Sequence, residues 1–288
     1  MNASSKNVTV EKNTPAPLVN FRKIFMITPT YKRNVRKAEL TRLGQTLMHV
    51  PNFHWILVED AKQIDPVVGR LLQRLKLNHT YLNQPTEKIK DAKAKGFSQR
   101  NRALKYLSDL FLNDTKEAYN AVVYFGDDDN TYDLRLFEAM RSIEKIGVWP
   151  VALCGGLLLE KLIINETDQS LINFDVWLSK KSDFRVDMAG FAINAGFLFR
   201  KGRRRLPTFQ HRGLIERAFL RQVTEKYSDV KPLNFFDESF YDEYGLDSNE
   251  TMNTEVLVWH TKTKQPDLRF ENNYAKFHGR SSDFGYEI

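Results

Sequence analysis

The chain has 288 residues, 42% of them hydrophobic, so it is long enough for one large domain or two small ones with a sizeable core. It carries 43 lysine and arginine residues against 36 acidic ones, and the net charge of +7 favours an acidic or phosphorylated ligand or a polyanion, although a merely basic surface gives the same balance. The single cysteine, Cys154, excludes an internal disulfide, and its apolar surroundings are typical of an inert core thiol.

Residues 1–20 are polar and lack the apolar stretch of a signal peptide, so we expect a flexible, stem-like lead-in. No apolar run reaches the roughly 20 residues that a membrane-spanning helix needs. We therefore expect a chain that is soluble as made or one whose anchor lies upstream. Glycosylation triplets of the N-x-S/T type favour a secretory lumen, although such triplets also arise by chance. They begin at Asn2, Asn7, Asn78, Asn113, Asn165 and Asn249.

From residue 21 onward, short apolar runs alternate with helical periodicity. Strands are predicted at 23–29, 54–60, 79–84 and 121–126, and helices at 37–50, 66–77, 98–111 and 134–147. Ser98 is predicted to cap the third helix, and Gly147 to end the fourth. This alternation favours a mostly parallel α/β sheet, in which ligands bind beyond the carboxyl ends of the strands. The motifs "TPTY", "VED" and "GDDD" all fall at such ends.

The second half of the chain is less regular. Residues 149–160 predict a strand, a Gly-Gly bend and another strand; 186–194 predict a strand with a glycine at close approach. A helix is predicted at 213–227, with Leu214, Phe219 and Val223 available for packing, and a strand at 254–263. The acidic segment 232–253 is predicted to be a loop. We expect a single domain over 21–288, with a nucleotide-binding half at 21–130 and an acceptor-binding half at 131–288.

Three consecutive aspartates, Asp127, Asp128 and Asp129, follow the predicted fourth strand. Side chains alternate along an extended chain, so Asp127 and Asp129 are expected on one side and Asp128 on the other. Carboxylates at a strand end suit a hard divalent cation whose open positions take substrate phosphates, as in the D-x-D motif of nucleotide-sugar transferases. A solvated acidic turn has the same composition. The absence of a P-loop and of G-x-G-x-x-G disfavours a kinase-like ATPase and a dehydrogenase.

Eight blocks, in chain order, resemble the animal β-1,3-glucuronosyltransferases of glycosyltransferase family 43. They are "ITPTYKR", "AELTRLGQTL", "HWILVEDA", "QRNRAL", "VVYFGDDDNTY", "VDMAGFA", "RGLIE" and "LVWHTKT". The resemblance implies a GT-A fold with a Rossmann-like nucleotide-binding sheet, transfer from UDP-glucuronic acid to a β-galactoside glycan, a Mn²⁺ cofactor and inversion at the anomeric carbon. It also implies a homodimer in the Golgi lumen, membrane-anchored in type II orientation. No nucleic-acid partner is expected.

The resemblance also assigns residues. Asp129 is expected to bind the metal, Asp128 the ribose, and Tyr31 and Asp60 the uridine, while Asp127 is expected near the sugar and Arg100. The full donor-binding set that it implies is Pro29, Tyr31, Asp60, Lys95, Arg100, Asp127, Asp128, Asp187, His260 and Lys262. Glu160 and Arg212 are the expected acceptor contacts.

Glu216, in "RGLIE", matches the catalytic base of the family. An inverting transfer is a single displacement, so one carboxylate is needed to take the acceptor proton, and the metal replaces a second, leaving-group acid. This differs from a glycosidase, which usually needs two carboxylates. Without the resemblance, position favours an ordinary first-turn glutamate for Glu216 and a surface histidine with its hydrogen bonds satisfied for His260.

Several positions depart from the family pattern. Lys95 and Lys262 stand where arginine is common, and lysine keeps the charge but loses the bidentate fork. Leu158, Ser182 and Phe270 stand where polar acceptor contacts are expected. The acceptor therefore stays open among the proteoglycan linker Gal-Gal-Xyl, a terminal N-acetyllactosamine and another β-galactoside. Two rival interpretations are a transferase that uses UDP-xylose and a catalytically silent UDP-binding relative.

Overall fold

The computed structural model describes residues 21–87, 96–165, 167–176, 183–207, 215–233, 255–264 and 266–285. Its strands are β1 (Lys23–Thr30), β2 (Phe53–Glu59), β3 (His79–Asn83), β4 (Ala121–Phe125), β5 (Thr131–Tyr132), β6 (Ile146–Val148), β7 (Val151–Ala152), β8 (Leu159–Ile164), β9 (Leu171–Asp175), β10 (Phe191–Asn194), β11 (Val230–Pro232) and β12 (Val258–Trp259). Its helices are α1 (Arg36–Leu47), α2 (Pro66–Leu75), α3 (Phe97–Leu110), α4 (Thr115–Tyr119), α5 (Leu134–Met140), α6 (Ala195–Phe199), α7 (Ile215–Val223) and α8 (Glu271–His278).

Seven strands form the larger sheet, in the order β11-β6-β10-β4-β1-β2-β3. The pairs β1–β2, β2–β3 and β1–β4 are parallel, whereas β10 runs antiparallel to both of its neighbours. Every residue of β4 is buried, as expected for a parallel strand covered on both faces. The mostly parallel sheet predicted from the alternation of elements is therefore confirmed.

A second, mixed sheet has the order β5-β12-β7-β8-β9 and comes entirely from the second half of the chain. The second half also contributes β6, β10 and β11 to the larger sheet. The two predicted halves therefore share one sheet, and their boundary at residue 130 stays a prediction.

The core fills both faces of the larger sheet. On one face Phe125 packs edge-to-face against Phe219 of α7. On the other, Tyr124 contacts Phe137 of α5 and Trp149. Helix α2 begins as predicted, because Pro66 occupies its first turn and the Asp65 carboxylate accepts a hydrogen bond from the Val67 N–H at 2.9 Å.

Two predicted helix ends are wrong. Ser98 does not cap α3, because Gly96, with φ of 76°, precedes the helix, and the Ser98 hydroxyl instead accepts a hydrogen bond from the Glu87 N–H at 3.1 Å. Gly147 does not end a helix, because α5 stops at Met140 and Gly147 lies in β6, paired with Ala192. Burial of the β6 side chains against the sheet outweighs the helical periodicity there.

The second half follows the prediction more loosely. The Gly155–Gly156 bend is confirmed, with positive φ at both glycines. Of the strand predicted at 186–194, only β10 is extended, and it follows a short 3₁₀ turn. The predicted helix at 213–227 is the shorter α7, in which Phe219 and Val223 are buried as expected, whereas Leu214 lies outside the described residues.

Of the strand predicted at 254–263, residues 255–263 are described, and among these Val258–Trp259 alone form a strand. Most of the loop predicted at 232–253 lies outside the described residues. None of the helices in the described ranges combines the length and the apolar character needed to cross a membrane.

Candidate active site

Polar residues follow three neighbouring parallel strands at one edge of the larger sheet. Tyr31 follows β1, Asp60 follows β2, and the three aspartates follow β4 after a single glycine. Pairing continues to the strand ends, since the Asp60 N–H donates to the Thr30 carbonyl at 2.7 Å. The prediction that these motifs share one edge is confirmed.

Two of the three aspartates are neutralised by arginines from different elements. Asp127 pairs with Arg100 of α3. Asp128 binds Arg33, which precedes α1, through two hydrogen bonds of 2.7 and 2.9 Å. The segment forms a turn rather than the extended chain on which the expected alternation of side chains depends, so that expectation stays a prediction. The positive charge among these carboxylates is therefore supplied first by the protein itself.

The Asp128–Arg33 pair belongs to a buried network. The Thr30 hydroxyl donates to Asp128 at 2.7 Å, and Arg33 also pairs with Glu39 of α1. Burial lowers the pKa of Arg33, but the two carboxylates outweigh it and raise that pKa above its ordinary value. The guanidinium also lies over the Tyr31 ring, 4.7 Å from its centre. Sequence reasoning missed Arg33, although it lies in the block "ITPTYKR" directly after the first strand.

Asp129 differs from its two neighbours, because its carboxylate accepts no hydrogen bond from the part of the chain that the structure describes. Its carbonyl oxygen accepts a hydrogen bond from the Thr261 hydroxyl at 2.6 Å. Burial, together with the charges of Asp127 and Asp128, raises the pKa of Asp129 to about 6. An uncommitted oxygen donor among like charges fits a hard divalent cation such as Mn²⁺ or Mg²⁺.

Arg100 reaches Asp127 because of the glycine before α3. Gly96 has a positive φ of 76°, and a Cβ added there would lie 2.5 Å from Nη1 of Arg100 and 3.1 Å from the ring of Pro29. Arg100 is itself buried. Gly96 thus provides both the turn into α3 and the space for the guanidinium, and sequence reasoning did not single it out.

Asp187 and His260 meet close to the three-aspartate turn, since the charges of Asp127 and Asp129 act on His260. Asp187 Oδ1 lies 2.9 Å from His260 Nε2 and accepts from the Ala189 N–H at 2.8 Å. The Cys154 thiol donates to Asp187 Oδ2 at 3.3 Å. Burial acts to raise the pKa of Asp187, but His260 and these hydrogen bonds lower it below its usual value. Cys154 is buried in the hydrophobic core as predicted, and its thiol also donates a hydrogen bond to the Asp187 carboxylate.

The same contact with Asp187 raises the pKa of the His260 imidazole. Burial alone lowers the pKa of its imidazole, but the hydrogen bond and charge of Asp187 outweigh that effect and raise it. The charges of Asp127 and Asp129 act in the same direction. His260 is therefore a partly buried histidine, paired with Asp187, beside the aspartate turn, and its assignment to donor binding stays a prediction.

Glu216 lies in the first turn of α7 and is partly buried. Burial is the largest influence on its pKa, which is raised to about 7, and the charges of Asp187, Arg100 and Asp127 also act on it. The group is thus close to three of the residues that the sequence assigned to donor binding. A carboxylate with a pKa near 7 has the properties of a general base at neutral pH.

The other residues predicted to bind the donor or the acceptor differ in their exposure and hydrogen bonding. Asp60 is exposed, and its carboxylate already accepts two hydrogen bonds from Thr86, at 2.7 and 2.5 Å. Tyr31 is 50% exposed, which leaves one face of its ring open to a ligand. Glu160 lies on β8, where burial and the charge of Asp187 raise its pKa. Lys262 is exposed beyond β12.

Three positions named in the sequence analysis, Lys95, Ser182 and Arg212, lie outside the described residues. Two of the residues that depart from the family pattern at expected acceptor contacts have exposed apolar side chains: Leu158 is 84% exposed and Phe270 is 73% exposed. Such surfaces are free to contact a ligand but offer it no hydrogen bond.

A family model described as glycosyltransferase family 43 matches residues 43–264. Among curated proteins, galactosylgalactosylxylosylprotein 3-beta-glucuronosyltransferase sqv-8 of Caenorhabditis elegans is 37% identical over 257 residues, which cover 86% of this chain and 66% of the relative. The human galactosylgalactosylxylosylprotein 3-beta-glucuronosyltransferase 1 is 36% identical, covering 85% of this chain and 70% of the relative. The Drosophila melanogaster galactosylgalactosylxylosylprotein 3-beta-glucuronosyltransferase I is 36% identical, covering 92% of this chain and 83% of the relative.

Among solved structures, Staphylococcus aureus TarS in complex with UDP-GlcNAc aligns with a TM-score of 0.51 at 14% identity, over 86% of this chain and 60% of that one. The likeness supports the fold alone, and the GT-A architecture expected from the sequence is confirmed.

Proposed function

This chain belongs to glycosyltransferase family 43, and we propose that it transfers glucuronic acid from UDP-glucuronic acid to the 3-hydroxyl of a terminal β-galactoside, with inversion at the anomeric carbon. One observation carries the proposal. A carboxylate with no hydrogen-bond partner among the described residues, Asp129, stands beside two arginine-paired aspartates, within electrostatic reach of the Asp187–His260 pair. That is the charge arrangement a nucleotide diphosphate and its cation require.

Asp129 is the residue that would hold the manganese ion. The ion supplies Lewis-acid stabilisation of the charge that grows on the departing diphosphate. Because a single carboxylate leaves open coordination positions, donor phosphates have room to complete the shell. Thr261 fixes the main chain at this position through its hydrogen bond to the Asp129 carbonyl.

The donor lies along the carboxyl edge of β1, β2 and β4. Tyr31 stacks on the uracil, and Asp60 accepts from its ring N–H. Asp128, fixed by Arg33 and Thr30, binds the ribose. Arg100, oriented by Asp127, and His260, oriented by Asp187, are the cationic groups available to the glucuronate carboxylate and the diphosphate.

Glu216 performs the proton transfer. Its carboxylate takes the proton of the acceptor 3-hydroxyl as that oxygen forms its bond to the anomeric carbon. The bond from that carbon to the diphosphate breaks in the same step, and UDP leaves with the electron pair. No second catalytic carboxylate is needed. With a pKa of about 7, Glu216 is a strong enough base to assist the attack at neutral pH and is still substantially ionised there.

For the acceptor we propose the proteoglycan linker Gal-Gal-Xyl. Support comes from the names of three relatives, each described as a galactosylgalactosylxylosylprotein 3-beta-glucuronosyltransferase. Glu160 and Arg212 are the acceptor contacts in this proposal. The exposed Leu158 and Phe270 add apolar surface, which suits the faces of sugar rings.

The cellular setting in this proposal is the Golgi lumen, with a type II membrane anchor and a homodimeric assembly. The six N-x-S/T triplets support a lumenal chain. Glycosidase-sensitive gel mobility of the protein expressed in cells would test the lumenal location. Light scattering of the purified protein would test the homodimer.

The deciding experiment measures transfer from UDP-glucuronic acid, with and without Mn²⁺, to Gal-Gal-Xyl and N-acetyllactosamine, with UDP-xylose as a parallel donor. We expect a Mn²⁺-dependent product on Gal-Gal-Xyl from UDP-glucuronic acid. Product formed from UDP-xylose but not from UDP-glucuronic acid would show that UDP-xylose is the donor. UDP binding without transfer from either donor would identify a catalytically silent relative. Glu225→Gln, at an exposed glutamate shortly after α7, serves as the activity control for substitutions of Glu216.

A further inference from the structure

Three different metal-ligating side chains converge beside the donor site. The Cys154 thiol follows β7, the Asp187 carboxylate precedes the 3₁₀ turn at Met188–Gly190, and the His260 imidazole follows β12. One ligand atom from each lies within 4.8 Å of the other two. The elements that carry them are far apart in sequence, so the fold itself brings the three atoms together.

The spacing of these atoms suits tetrahedral coordination. Zinc bonds of about 2.0–2.3 Å at tetrahedral angles place neighbouring ligand atoms roughly 3.3–3.8 Å apart. The observed separations are 2.9 Å from His260 Nε2 to Asp187 Oδ1 and 3.3 Å from Cys154 Sγ to Asp187 Oδ2. These two contacts use different oxygens of Asp187, and the ligand atoms of the three residues all lie within 4.8 Å of one another, so modest side-chain shifts would bring one atom from each onto a common ion. The fourth position of a tetrahedral ion would be left to water, because Glu160, which interacts with the Cys154 thiol, is not part of the group that meets this spacing.

The ligand set selects the ion. Sulfur and imidazole favour Zn²⁺ and Co²⁺ over the hard Mn²⁺, which prefers oxygen donors such as Asp129. The two neighbouring positions therefore differ in kind, one being an all-oxygen site and the other a Cys–Asp–His site. Thiolate is the ligating form of cysteine, so binding releases the thiol proton to solvent without any change in redox state.

We propose that Cys154, Asp187 and His260 bind Zn²⁺, and that this ion blocks the donor site. Asp187 and His260 cannot ligate the ion and also contact the donor sugar, so zinc and UDP-glucuronic acid exclude one another. The blocking half of the inference rests on the proposed function, whereas the metal site itself does not. Zinc thus acts as an inhibitor of an enzyme that manganese activates.

The first test uses Co²⁺ as a spectroscopic stand-in and needs no activity. Wild-type protein titrated with Co²⁺ should develop the near-ultraviolet thiolate-to-cobalt charge-transfer band, with one ion per chain, and added Zn²⁺ should abolish it. Cys154→Val, which replaces the thiol by a somewhat larger apolar side chain without a metal-binding atom, should lack the band. His49→Gln, at an exposed histidine, should retain it. Absence of the band from wild-type protein, or its persistence in Cys154→Val, would overturn the proposal.

The second test measures the exclusion. UDP-glucuronic acid should displace Co²⁺ from the wild-type protein, and Zn²⁺ should inhibit transfer competitively with the donor at saturating Mn²⁺. Loss of the sulfur ligand in Cys154→Val should raise the zinc inhibition constant by about 10-fold or more, since even losing an outer-shell partner of a metal site costs about 10–100-fold. Equal inhibition of the wild type and the variant would assign the effect to the Asp129 position and overturn the proposal. If neither protein transfers glucuronic acid, the cobalt band still decides the metal site, so this result and failure of the proposed function are distinguishable.

Discussion

Arg33 binds both carboxylate oxygens of Asp128, with separations of 2.7 and 2.9 Å, although the two residues are 95 positions apart in the chain. Both side chains are almost fully buried, with 9% and 8% of their surface exposed. The turn that carries Asp129 is thus fixed by an ion pair that is largely shielded from water.

Arg33→Lys should lower the free energy of unfolding by about 1–3 kcal/mol, because lysine keeps the charge but cannot form the paired hydrogen bonds. Arg33→Met should cost more, about 3–5 kcal/mol, since it leaves Asp128 buried without its cation. Urea unfolding measures both. Arg269→Lys alters an exposed pair with Asp267 and should change stability by less than about 0.5 kcal/mol. A loss for Arg33→Met no greater than for this control would contradict the buried network.

Glu216→Gln should lower kcat by about 10²–10⁴-fold and leave UDP binding unchanged, because the amide cannot take the acceptor proton. Steady-state transfer and calorimetric UDP titration give the two readouts. In the wild type, kcat/KM should rise with pH up to about 7, where the raised pKa of Glu216 places its ionisation. Full activity of Glu216→Gln would remove the assignment of Glu216 as the base.

Glu216 should also make stability depend on pH. Its folded pKa of about 7 exceeds the ordinary value of 4.5, so between these values the unfolded chain loses the proton while the folded protein keeps it. Stability is therefore lost as pH rises through this window, and the cost persists above it. Glu216→Gln should raise the unfolding free energy by about 1–3 kcal/mol at pH 8 and leave it unchanged near pH 4. Glu225→Gln should show no such difference.

Asp129→Asn should abolish the Mn²⁺ dependence of UDP binding, because the amide removes the uncommitted negative oxygen. The same variant should be more stable than wild type without metal at neutral pH, because the like charges that raise the pKa of Asp129 to about 6 would be relieved. Calorimetry with and without Mn²⁺, together with thermal unfolding, tests both effects. Asp175→Asn, at an exposed carboxylate, is the matched control. Unchanged Mn²⁺-dependent affinity would refute the metal role.

Gly96→Ala should reduce transfer by about 10-fold or more, since a displacement of about 1 Å in a catalytic group can cost 10²-fold. The new methyl group would lie 2.5 Å from Arg100 Nη1 and would push that guanidinium away from Asp127. Gly202→Ala is a close control, because Gly202 has φ of 86° but no atom within 4 Å of an added Cβ. Both variants should lose about 1–2 kcal/mol of stability from backbone strain, and only Gly96→Ala should lose activity. Equal activity in the two would mean that Arg100 tolerates the displacement.

The fold was predictable where local signals agreed with the tertiary structure. Helix α2 has Asp65, Pro66 and one apolar face in sequence, and β4 is apolar throughout, so both follow from the residues alone. Gly147 was mispredicted because the strand pairing that decides its conformation involves Ala192, 45 positions later, and no local pattern reports it.

The carboxylates of the site were predictable from the sequence, but the side chains that pair with them were not. The carboxylates were found because they cluster after strands, and Glu216 through the family resemblance. Their partners were not, because contacts such as Arg33–Asp128 and Cys154–Asp187 depend on how distant elements pack. Side chains that hold a site in place carry weaker local signals than the groups they hold.

The hydrogen bond from the Thr261 hydroxyl to the Asp129 carbonyl joins two parts of the chain that are 132 positions apart. The same connection includes the pairing of β12 with β5 and the bond from the Asp133 N–H to the Leu257 carbonyl at 2.9 Å. If the polypeptide were expressed as two fragments, split between these parts, the first would carry Asp129 without the hydrogen bond that fixes its main chain. We expect manganese affinity to rise when the fragments reassemble, which would make the ion a reporter of fragment complementation in this protein.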